Sequence, residues 1–452
     1  MNLKNKNVLL VGLAKTGVST IKLLDKLGAN IIVNDIKDEE RLKDILSDLK
    51  DIKNAEYILG YHPENVNHID LAVVSPGVPL DLPFILKLKE EKIEIIGEVE
   101  LAYRLSKNPI FIGITGTNGK TTTTSLVGEI FKVNKRDTFI VGNIGNPVIE
   151  TVEETDENSI LVTELSSFQL ESIVDFKPHV ASILNLSPDH LNRHHTMENY
   201  ISAKANILKN QDKSDFSILN YDDEQVRNLQ SKCNGQVIFF SRKEKLDKGV
   251  YLDEDDNIVI DIDDKITLLN KKELSLPGPH NLENCMAAIA MSYVCNVDIE
   301  TLRHVLKTFK AVEHRLEYVK TLNDVIFVND SKGTNPDSTI KAVQSYDSPI
   351  ILIAGGYNKD SDFNELLDIA KQNVKALVLM GETASIIEKC AKEKGYKTIL
   401  RVNNMKEAVE VSYDIATKGD VVLLSPACAS WDMYKSFEVR GMDFKDNVNN
   451  LK

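Results

Sequence analysis

A run of glycine, threonine and lysine has the composition of a phosphate-binding loop. Residues 114–124 read ITGTNGKTTTT and overlap the end of an apolar run that starts at Pro109. Glycines let backbone N–H groups turn inward around a phosphate, and a helix that follows points its positive end at the anion. Lys120 would supply a mobile cation for the β- and γ-phosphates, and the Thr121 hydroxyl a ligand for Mg²⁺. This segment predicts that the chain binds a nucleoside triphosphate.

The loop departs from the general P-loop spacing at one position. The pattern G-x-x-x-x-G-K-[ST] would require glycine where the chain has Ile114. This departure indicates a narrower group of proteins than the general nucleoside triphosphatases. A chance Gly-Lys-Thr in a loop rich in glycine and threonine is the alternative. The strand-like run before the loop and the helix-compatible segment over 122–133 favour a phosphate loop.

Two further polar residues stand where they could hold a metal ion, and a lysine follows them on a predicted helix. Glu164 follows a predicted strand over 159–163, and a carboxylate at the end of a neighbouring strand can bind Mg²⁺ or orient its water shell. His190 follows another predicted strand and could contact metal or phosphate. Lys204 lies on a helix predicted over 197–208. Taken singly, each has a structural alternative, namely a carboxylate capping a turn, a structural histidine and a solvated lysine.

The N-terminal part of the chain alternates strand and helix patterns, which is typical of a parallel, Rossmann-like sheet. Strands predicted over 7–12 and 30–34 flank a helix predicted over 17–27. Ala14 replaces the second glycine of the dinucleotide-binding turn, whereas Asp35 stands where a ribose-binding acid belongs. These residues favour a nucleotide-sugar or nucleoside diphosphate ligand over a dinucleotide. A βαβ unit that binds no ligand is the alternative.

The last third of the chain places polar clusters after its predicted strands. The clusters that contain glycine or a small residue read NDSKGTN over 329–335, AGGYNK over 354–359, GE over 381–382 and SPACASW over 425–431. Open α/β sheets bind ligands at the carboxyl edge of their strands. The repeated placement therefore predicts a second ligand site.

Length and pattern together predict an α/β protein of three domains. The chain has 452 residues, which is too long for one core when a domain takes about 150 residues. We predict a Rossmann-like N-terminal domain over 1–97, a P-loop ATPase-like central domain over 98–311 and a Rossmann-like C-terminal domain over 312–452. Within the central domain, the acidic segment 246–264 is expected to form an exposed hairpin.

Composition excludes several classes of function. A net charge of −14 argues against a nucleic-acid-binding surface. The five cysteines are odd in number, scattered and without a CxxC pair, as expected of reduced thiols rather than a disulfide or zinc framework. The N-terminal apolar run is too short for a signal peptide, and no apolar run is long enough to cross a membrane. We expect a cytoplasmic, monomeric protein with small-molecule partners, no nucleic acid and no membrane.

Seven motifs in order resemble the ATP-dependent Mur ligases of peptidoglycan synthesis. They read ITGTNGKTTTT, ELSSFQLE, NLSPDH, GPHNLEN, HR, NDSKGTN and LSPACASWD, and the resemblance extends from about Val8 to Phe444. The motifs are most similar to the branch that adds D-glutamate to UDP-N-acetylmuramoyl-L-alanine. The resemblance implies three domains: the first holds the UDP moiety, the second is the ATPase, and the third presents the amino acid.

The resemblance also implies a reaction and its catalytic residues. The substrate carboxylate attacks the γ-phosphate of ATP to give an acyl phosphate, which the D-glutamate amine then attacks, releasing phosphate. Lys120 would serve the phosphates, while Thr121 and Glu164 would hold a first Mg²⁺. His190 and Lys204 would hold a second, after CO₂ has converted the lysine into a carbamate. Burial that lowers the lysine pKa would favour this carbamylation.

The remaining site residues implied by the resemblance fall into three groups. The ATP group comprises Gly116, Thr117, Asn118, Gly119, Lys120, Thr121, Thr122, Asn281, Asn284, Arg315 and Asp330. The UDP-substrate group comprises Thr16, Asp35, Ser75, Pro76, Gly77 and Asn143. The D-glutamate group comprises Lys332, Thr334, Lys359, Ser430 and Phe437. The resemblance implies no role for His194 or His195.

Three other functions share part of this pattern. A sibling ligase that adds L-alanine, a diamino acid or a dipeptide would share the ATPase core, but ELSSFQLE and SPACASWD argue against it. A folylpolyglutamate synthase would share the core without needing the first domain. A nucleotide-gated binding protein or NTPase switch would keep the phosphate loop, but would need neither a modified Lys204 nor the pocket of the third domain.

Overall fold

A computed structural model describes residues 1–276, 278–310, 313–346, 348–358 and 361–451. The chain divides into two compact units. The first consists of Met1–Lys271 and Glu283–Val305, and the second of Lys272–Leu282 and Leu306–Lys452. None of the helices in the described part of the chain has the length and apolar character needed to span a bilayer.

The first unit begins with a five-stranded parallel sheet in the order β3-β2-β1-β4-β5. Its elements are β1 (Asn7–Val11), α1 (Lys15–Lys26), β2 (Asn30–Asp35), α2 (Glu39–Ser47), β3 (Ala55–Leu59), β4 (Leu71–Val74), α3 (Pro83–Glu90), β5 (Glu94–Gly97) and α4 (Glu98–Leu105). The parallel, Rossmann-like prediction is confirmed. The sequence reasoning missed β3, an edge strand in which no residue is fully buried.

The same unit contains a nine-stranded sheet in the order β14-β13-β12-β11-β10-β9-β6-β8-β7. Its strands are β6 (Ile110–Thr115), β7 (Thr138–Gly142), β8 (Ile160–Glu164), β9 (Val180–Ile183), β10 (Phe216–Asn220), β11 (Gln236–Ser241), β12 (Gly249–Leu252), β13 (Asn257–Asp261) and β14 (Lys265–Asn270). The helices are α5 (Lys120–Val133), α6 (Ser167–Leu170), α7 (Leu191–His194), α8 (Met197–Ala205) and α9 (Glu224–Asn228). Helices α10 (Pro279–Tyr293) and α11 (Ile299–Thr308) follow, and most of each belongs to this unit, while residues 279–282 and 306–308 belong to the second. Strands β8, β6 and β9 are adjacent and parallel, so their carboxyl ends meet at one edge.

The second unit is built on a six-stranded sheet in the order β15-β16-β20-β17-β18-β19. Its elements are β15 (Glu317–Leu322), β16 (Val325–Asn329), α12 (Pro336–Val343), β17 (Ile350–Ala354), α13 (Asn364–Ala370), β18 (Val374–Leu379), α14 (Ala384–Glu393), β19 (Ile399–Arg401), α15 (Met405–Ile415), β20 (Val421–Leu424) and α16 (Phe437–Asn450). Only β15 runs antiparallel to its neighbour. The predicted α/β class is confirmed by these three sheets.

Three local predictions need correction. Helix α5 begins at Lys120 rather than at residue 122, because Gly119 adopts the left-handed conformation that caps it. The helix predicted over 197–208 ends its α-helical part at Ala205 and continues as a 3₁₀ turn. The expected exposed hairpin over 246–264 is β12 and β13, but these strands continue the large sheet and bury residues such as Tyr251. The acidic residues of the turn had led to the prediction that the whole hairpin is exposed.

The first two sheets share one hydrophobic core. The buried cluster includes Leu10 of β1, Val99 of α4 and Phe111 of β6. Burying a side chain of this size contributes about 1.5–3 kcal/mol. Helix α4 therefore links the two sheets by packing as well as by sequence. The domain boundaries predicted at 97/98 and 311/312 stay predictions.

Candidate functional site

The phosphate loop lies between β6 and α5, as its sequence predicts. Gly119 has φ +82° and caps α5, so Lys120 is the first residue of the helix. The Lys120 Nζ donates to the carbonyl oxygens of Gly116 (2.8 Å) and Thr117 (2.7 Å). Lys120 thus bridges two carbonyl groups of the loop at the positive N-terminal end of α5, where an anion can bind.

The segment after β9 clamps this loop from the other side. Asn185 Oδ1 accepts from the Asn118 N–H (2.8 Å), and Asn185 Nδ2 donates to the Asn118 carbonyl (3.0 Å). The Thr117 Oγ1 lies 3.0 Å from the Tyr200 hydroxyl and accepts from the Ser187 N–H (3.0 Å). The sequence reasoning missed Asn185 and Tyr200 as site residues. The signal for Asn185 was its position as the first polar residue after a strand.

Glu164 is the last residue of β8 and is paired with Ile114 in the neighbouring strand. Its carboxyl group is buried, and Oε1 accepts from Asn143 Nδ2 (2.8 Å). Oε2 has no hydrogen-bond partner among the described residues. A buried carboxylate oxygen without a partner is costly unless a ligand completes it, so this oxygen fits a Mg²⁺ ligand. Asn143, expected to touch substrate, contacts Glu164 here.

Lys204 is buried in α8, with 2% of its surface exposed. Its Nζ donates to the Gly116 carbonyl (2.9 Å) and lies 4.8 Å from the centre of the Tyr200 ring. Burial, reinforced by the charge of Lys120, lowers the pKa of Lys204 well below its ordinary value, while Asp189 and Glu164 oppose the shift. The solvated-lysine alternative is therefore wrong.

His190 lies at the start of α7 and has φ +54°, in the left-handed region. Its ring is 4.9 Å from the Phe168 ring, and its Nε2 is 3.6 Å from Asp189 Oδ2. The side chain is 44% exposed, so it is open to a ligand. His194, which had no predicted role, is buried, and burial lowers its pKa to about 4. His195 lies at the surface, 3.4 Å from Asp81.

Two asparagines lie at the start of α10, and both are buried. Asn284 lies so close to the phosphate loop that a Cβ on Gly119 would collide with Asn284 Oδ1. Asn281 precedes it by one helical turn. Thr121 and Thr122 of α5 are also buried.

In the N-terminal sheet, Asp35 supports the turn after β1. Its Oδ2 accepts from the Leu13 N–H (2.7 Å) and its Oδ1 from the Lys37 N–H (2.8 Å). The Ser75 hydroxyl donates to the Gly12 carbonyl (2.6 Å), which joins the two loops at this sheet edge. Asp35 and Ser75 therefore contact neighbouring residues of the same turn, which leads into α1 with Thr16, and Pro76 and Gly77 directly follow Ser75 in the chain.

In the second unit, Asp330 directly follows β16 and is fully buried. Its Oδ2 accepts from the Ser425 hydroxyl (2.7 Å), and its Oδ1 lies 3.7 Å from Arg315 Nη1. Burial raises the pKa of Asp330, and Arg315 opposes that shift. Arg315 and Asp330, both predicted to contact ATP, are therefore adjacent.

Of the predicted D-glutamate residues in the second unit, Lys332, Thr334 and Ser430 lie on loops, and Phe437 begins α16. Lys332 Nζ is 5.3 Å from the centre of the Phe437 ring, and Ser430 is buried. The Thr334 N–H donates to the Lys332 carbonyl (2.9 Å). Lys359 lies outside the described residues. The sequence reasoning missed Arg440, whose buried guanidinium donates to the carbonyls of Ser331 (2.8 Å) and Cys428 (3.1 Å) and so ties two of these loops together.

We expect Gly119→Ala to weaken ATP binding at least about tenfold, because the new Cβ would push Asn284 away and strain the loop. Gly60→Ala is the matched control, since Gly60 has a similar φ of +85° but nothing within 4 Å of an added Cβ. Each variant should lose about 1–2 kcal/mol of stability from the left-handed backbone. Calorimetric titration with ATP and thermal unfolding would separate the two effects. Equal ATP affinity in both variants would contradict the prediction.

Three family models match the chain in succession. "Mur ligase MurD-like, N-terminal domain" matches residues 6–97, "Mur ligase middle domain" matches 114–292, and "Mur ligase, glutamate ligase domain" matches 314–428. In solved structures, UDP-N-acetylmuramate-alanine ligase MurC from Thermotoga maritima is similar with a TM-score of 0.59 at 20% identity, covering 99% of this chain and 100% of that one. MurF from Acinetobacter baumannii has a TM-score of 0.62 at 17% identity, covering 97% and 93%. At such identities these structures show the fold alone.

Sequence relatives are much more similar. A protein of Clostridioides difficile (strain 630) named UDP-N-acetylmuramoylalanine--D-glutamate ligase is 70% identical over 452 residues, covering 100% of both chains. A protein of the same name from Alkaliphilus oremlandii (strain OhILAs) is 52% identical over 455 residues, again covering 100% of both. Identity of this degree over full length, with the three family models in order, shows that this chain belongs to the Mur ligase family.

Proposed function

We propose that this chain joins D-glutamate to UDP-N-acetylmuramoyl-L-alanine, with ATP converted to ADP and phosphate, in the synthesis of peptidoglycan precursors. The relatives at 70% and 52% identity carry the name of this activity. The observation that supports it most is the meeting of the phosphate loop, Glu164 and the buried Lys204 at one edge of the large sheet. A simple NTPase switch would not need a buried lysine there.

The first half-reaction is the attack of a substrate carboxylate on the γ-phosphate of ATP. Both reactants are anions, so positioning and positive charge must supply most of the catalysis. Lys120 would exchange its two carbonyl partners in the loop for the β- and γ-phosphates. The products are an acyl phosphate and ADP, and the buried strand ends around the loop limit access of water to the acyl phosphate.

Mg²⁺, when bound, would neutralise charge on the phosphates. Thr121 and Glu164 would hold one ion, and the orphaned Oε2 of Glu164 fits that role. His190 and Lys204 would serve a second ion. Within the described residues, no group of three His, Cys, Asp or Glu side chains is arranged to hold a metal. A charged oxygen donor at Lys204 would complete the second site.

Carbamylation of Lys204 would provide this donor. The neutral Nζ attacks the carbon of CO₂, an N–C bond forms and one proton leaves the nitrogen, which gives a carboxylate-like group. The depressed pKa of Lys204 supplies the neutral amine that this reaction needs. The residue is enclosed beside the phosphate loop, so the new anion would lie next to Lys120.

The second half-reaction is attack of the D-glutamate amine on the acyl carbon, with release of phosphate. Lys332, Thr334, Lys359, Ser430 and Phe437 would form the amino-acid pocket. Lysines and hydroxyls suit a ligand with two carboxylates, and Phe437 would hold the Lys332 ammonium by a cation–π contact.

The uridine diphosphate of the substrate would be bound in the N-terminal sheet by Thr16, Asp35, Ser75, Pro76 and Gly77. Asn143 would orient Glu164 next to the substrate. The expected cytoplasmic location and monomeric state stay predictions.

The test is phosphate release from ATP with UDP-N-acetylmuramoyl-L-alanine, supplied separately with D-glutamate, L-glutamate, L-alanine and L-lysine. We expect release only with D-glutamate, because the pocket must fit both carboxylates and one configuration of the amine. Mass spectrometry should find the ligated product in the same sample. Release with L-alanine or L-lysine but not D-glutamate would contradict the proposal.

A further inference from the structure

Helix α7 carries His190 at its start but is only four residues long, Leu191–His194. A single turn of helix is not stable through its own hydrogen bonds. His190 also adopts φ +54°, which a non-glycine residue holds only when its surroundings impose it. The position of the His190 imidazole must therefore be fixed from outside α7.

One carboxylate contacts two consecutive side chains of α7. Glu171 Oε2 lies 3.0 Å from Arg193 Nη2, and Glu171 Oε1 lies 3.3 Å from His194 Nδ1. The other ring nitrogen of His194, Nε2, is 2.9 Å from the Ser167 hydroxyl. His194 is buried, so its Nδ1 faces the Glu171 carboxylate while its Nε2 lies within hydrogen-bond distance of the Ser167 hydroxyl.

The same segment of chain also supplies an aromatic support. The Phe168 ring lies 4.9 Å from the His190 ring, 5.4 Å from the His194 ring and 5.1 Å from the Arg193 guanidinium carbon. Arg193 in turn donates to the Val78 carbonyl (3.0 Å), next to the predicted UDP loop. Three side chains of the His190 turn thus lie against one ring, and the Glu171 carboxylate contacts two of them, with a charged hydrogen bond to Arg193.

We propose that Glu171 is a positioning residue for the metal site: its carboxylate anchors α7 through Arg193 and His194 and so aims the His190 imidazole. The inference rests on the proposed function, in which His190 serves Mg²⁺. Both carboxylates of ELSSFQLE would then serve the metal ions. The segment begins with Glu164, which would hold one ion directly, and ends with Glu171, which orients the ligand of the other.

Partners that orient a metal ligand typically contribute about 10- to 100-fold to metal affinity or activity. Glu171, Arg193 and His194 also line a cavity of about 380 Å³, and the Glu171 side chain is 22% exposed. Water can therefore reach the group that replaces the carboxylate. Glu171→Gln should keep the fold while it loses the charge that holds Arg193.

The experiment measures the Mg²⁺ concentration for half-maximal phosphate release in wild-type protein and in Glu171→Gln. We expect the variant to need about tenfold more Mg²⁺, with the KM for D-glutamate changed less than twofold. Binding of Mn²⁺ to the ADP-loaded protein, followed by electron paramagnetic resonance, gives a second readout that needs no turnover. That binding should weaken by the same factor.

Glu388→Gln is the matched control, because Glu388 also contacts two cations, Lys392 and Arg401, and is likewise 22% exposed. It lies on α14, in the other unit, and should leave the Mg²⁺ requirement unchanged. An unchanged Mg²⁺ requirement and unchanged Mn²⁺ binding in Glu171→Gln would overturn the inference. So would a lower rate at every Mg²⁺ concentration with the same midpoint. Absence of ligation in wild-type protein would instead contradict the proposed function.

Discussion

Lys204→Ala should lower the rate of ligation by about 10³-fold, equivalent to about 4 kcal/mol of transition-state stabilisation. The substitution removes the amine that would carry the carbamate, and with it the negatively charged donor beside the phosphate loop. Steady-state phosphate release at saturating ATP gives the measurement. Wild-type turnover in this variant would contradict the metal-ligand role of Lys204.

Chemical rescue distinguishes a missing carboxylate from a damaged fold. Alanine at position 204 leaves space in a buried setting, where a short carboxylic acid can bind in place of the carbamate. Formate, acetate or propionate should therefore restore part of the rate with saturation. The same acids should not activate the wild-type protein. Equal concentrations of chloride should rescue nothing, since chloride cannot supply a pair of oxygen donors.

The Lys204→Met variant distinguishes a role of Lys204 in ligation from a role in the stability of the fold. Methionine fills a similar volume but cannot be carbamylated, so this variant should lose activity as fully as Lys204→Ala and resist rescue. Its melting temperature should equal or exceed that of wild type, because an apolar group replaces a buried amine. The Gly116 carbonyl loses Lys204 as a donor in this variant, but it still accepts a hydrogen bond from the Lys120 ammonium. A large loss of stability in Lys204→Met would indicate a structural role instead.

The sequence predicted those residues of the site that come directly after a strand. The phosphate loop and Glu164 could be predicted because parallel strands deliver their carboxyl ends to one edge, and apolar runs reveal those strands. The buried state of Lys204 could not be derived from local sequence. Lysine on a short helix is usually solvated, and only the packing of α8 against the loop encloses it.

The supports of the site were missed for a related reason. Asn185 holds the phosphate loop by hydrogen bonds to a residue 67 positions earlier in the chain. Arg440 lies on a helix and joins two loops by hydrogen bonds to the carbonyls of Ser331 and Cys428. No periodicity marks such long-range hydrogen bonds. The β12–β13 hairpin misled in the opposite direction, because the run of acids over 253–256 forms only its turn, whereas both flanking strands bury apolar residues.

Lys120→Ala should reduce kcat/KM by about 10³-fold, because a cation aimed at the developing charge on the phosphates is worth about 3–4 kcal/mol in a site shielded from water. Lys132→Ala is the control, since Lys132 lies exposed on the same helix and should leave the rate within twofold of wild type. Lys120→Arg should recover only part of the loss, because a planar guanidinium cannot replace the point charge that fits between Gly116 and Thr117.

The Lys120 variant should also change the response of the enzyme to pH. The charge of Lys120 helps to lower the pKa of Lys204, so removing it must raise that pKa back towards the ordinary value of a lysine. A larger fraction of Lys204 is then protonated at pH 7, and less neutral amine is available to CO₂. The residual activity of Lys120→Ala should therefore rise more steeply than that of wild type between pH 7 and pH 9, and added bicarbonate should increase it further. Parallel pH profiles for the two proteins would show that the two lysines act independently.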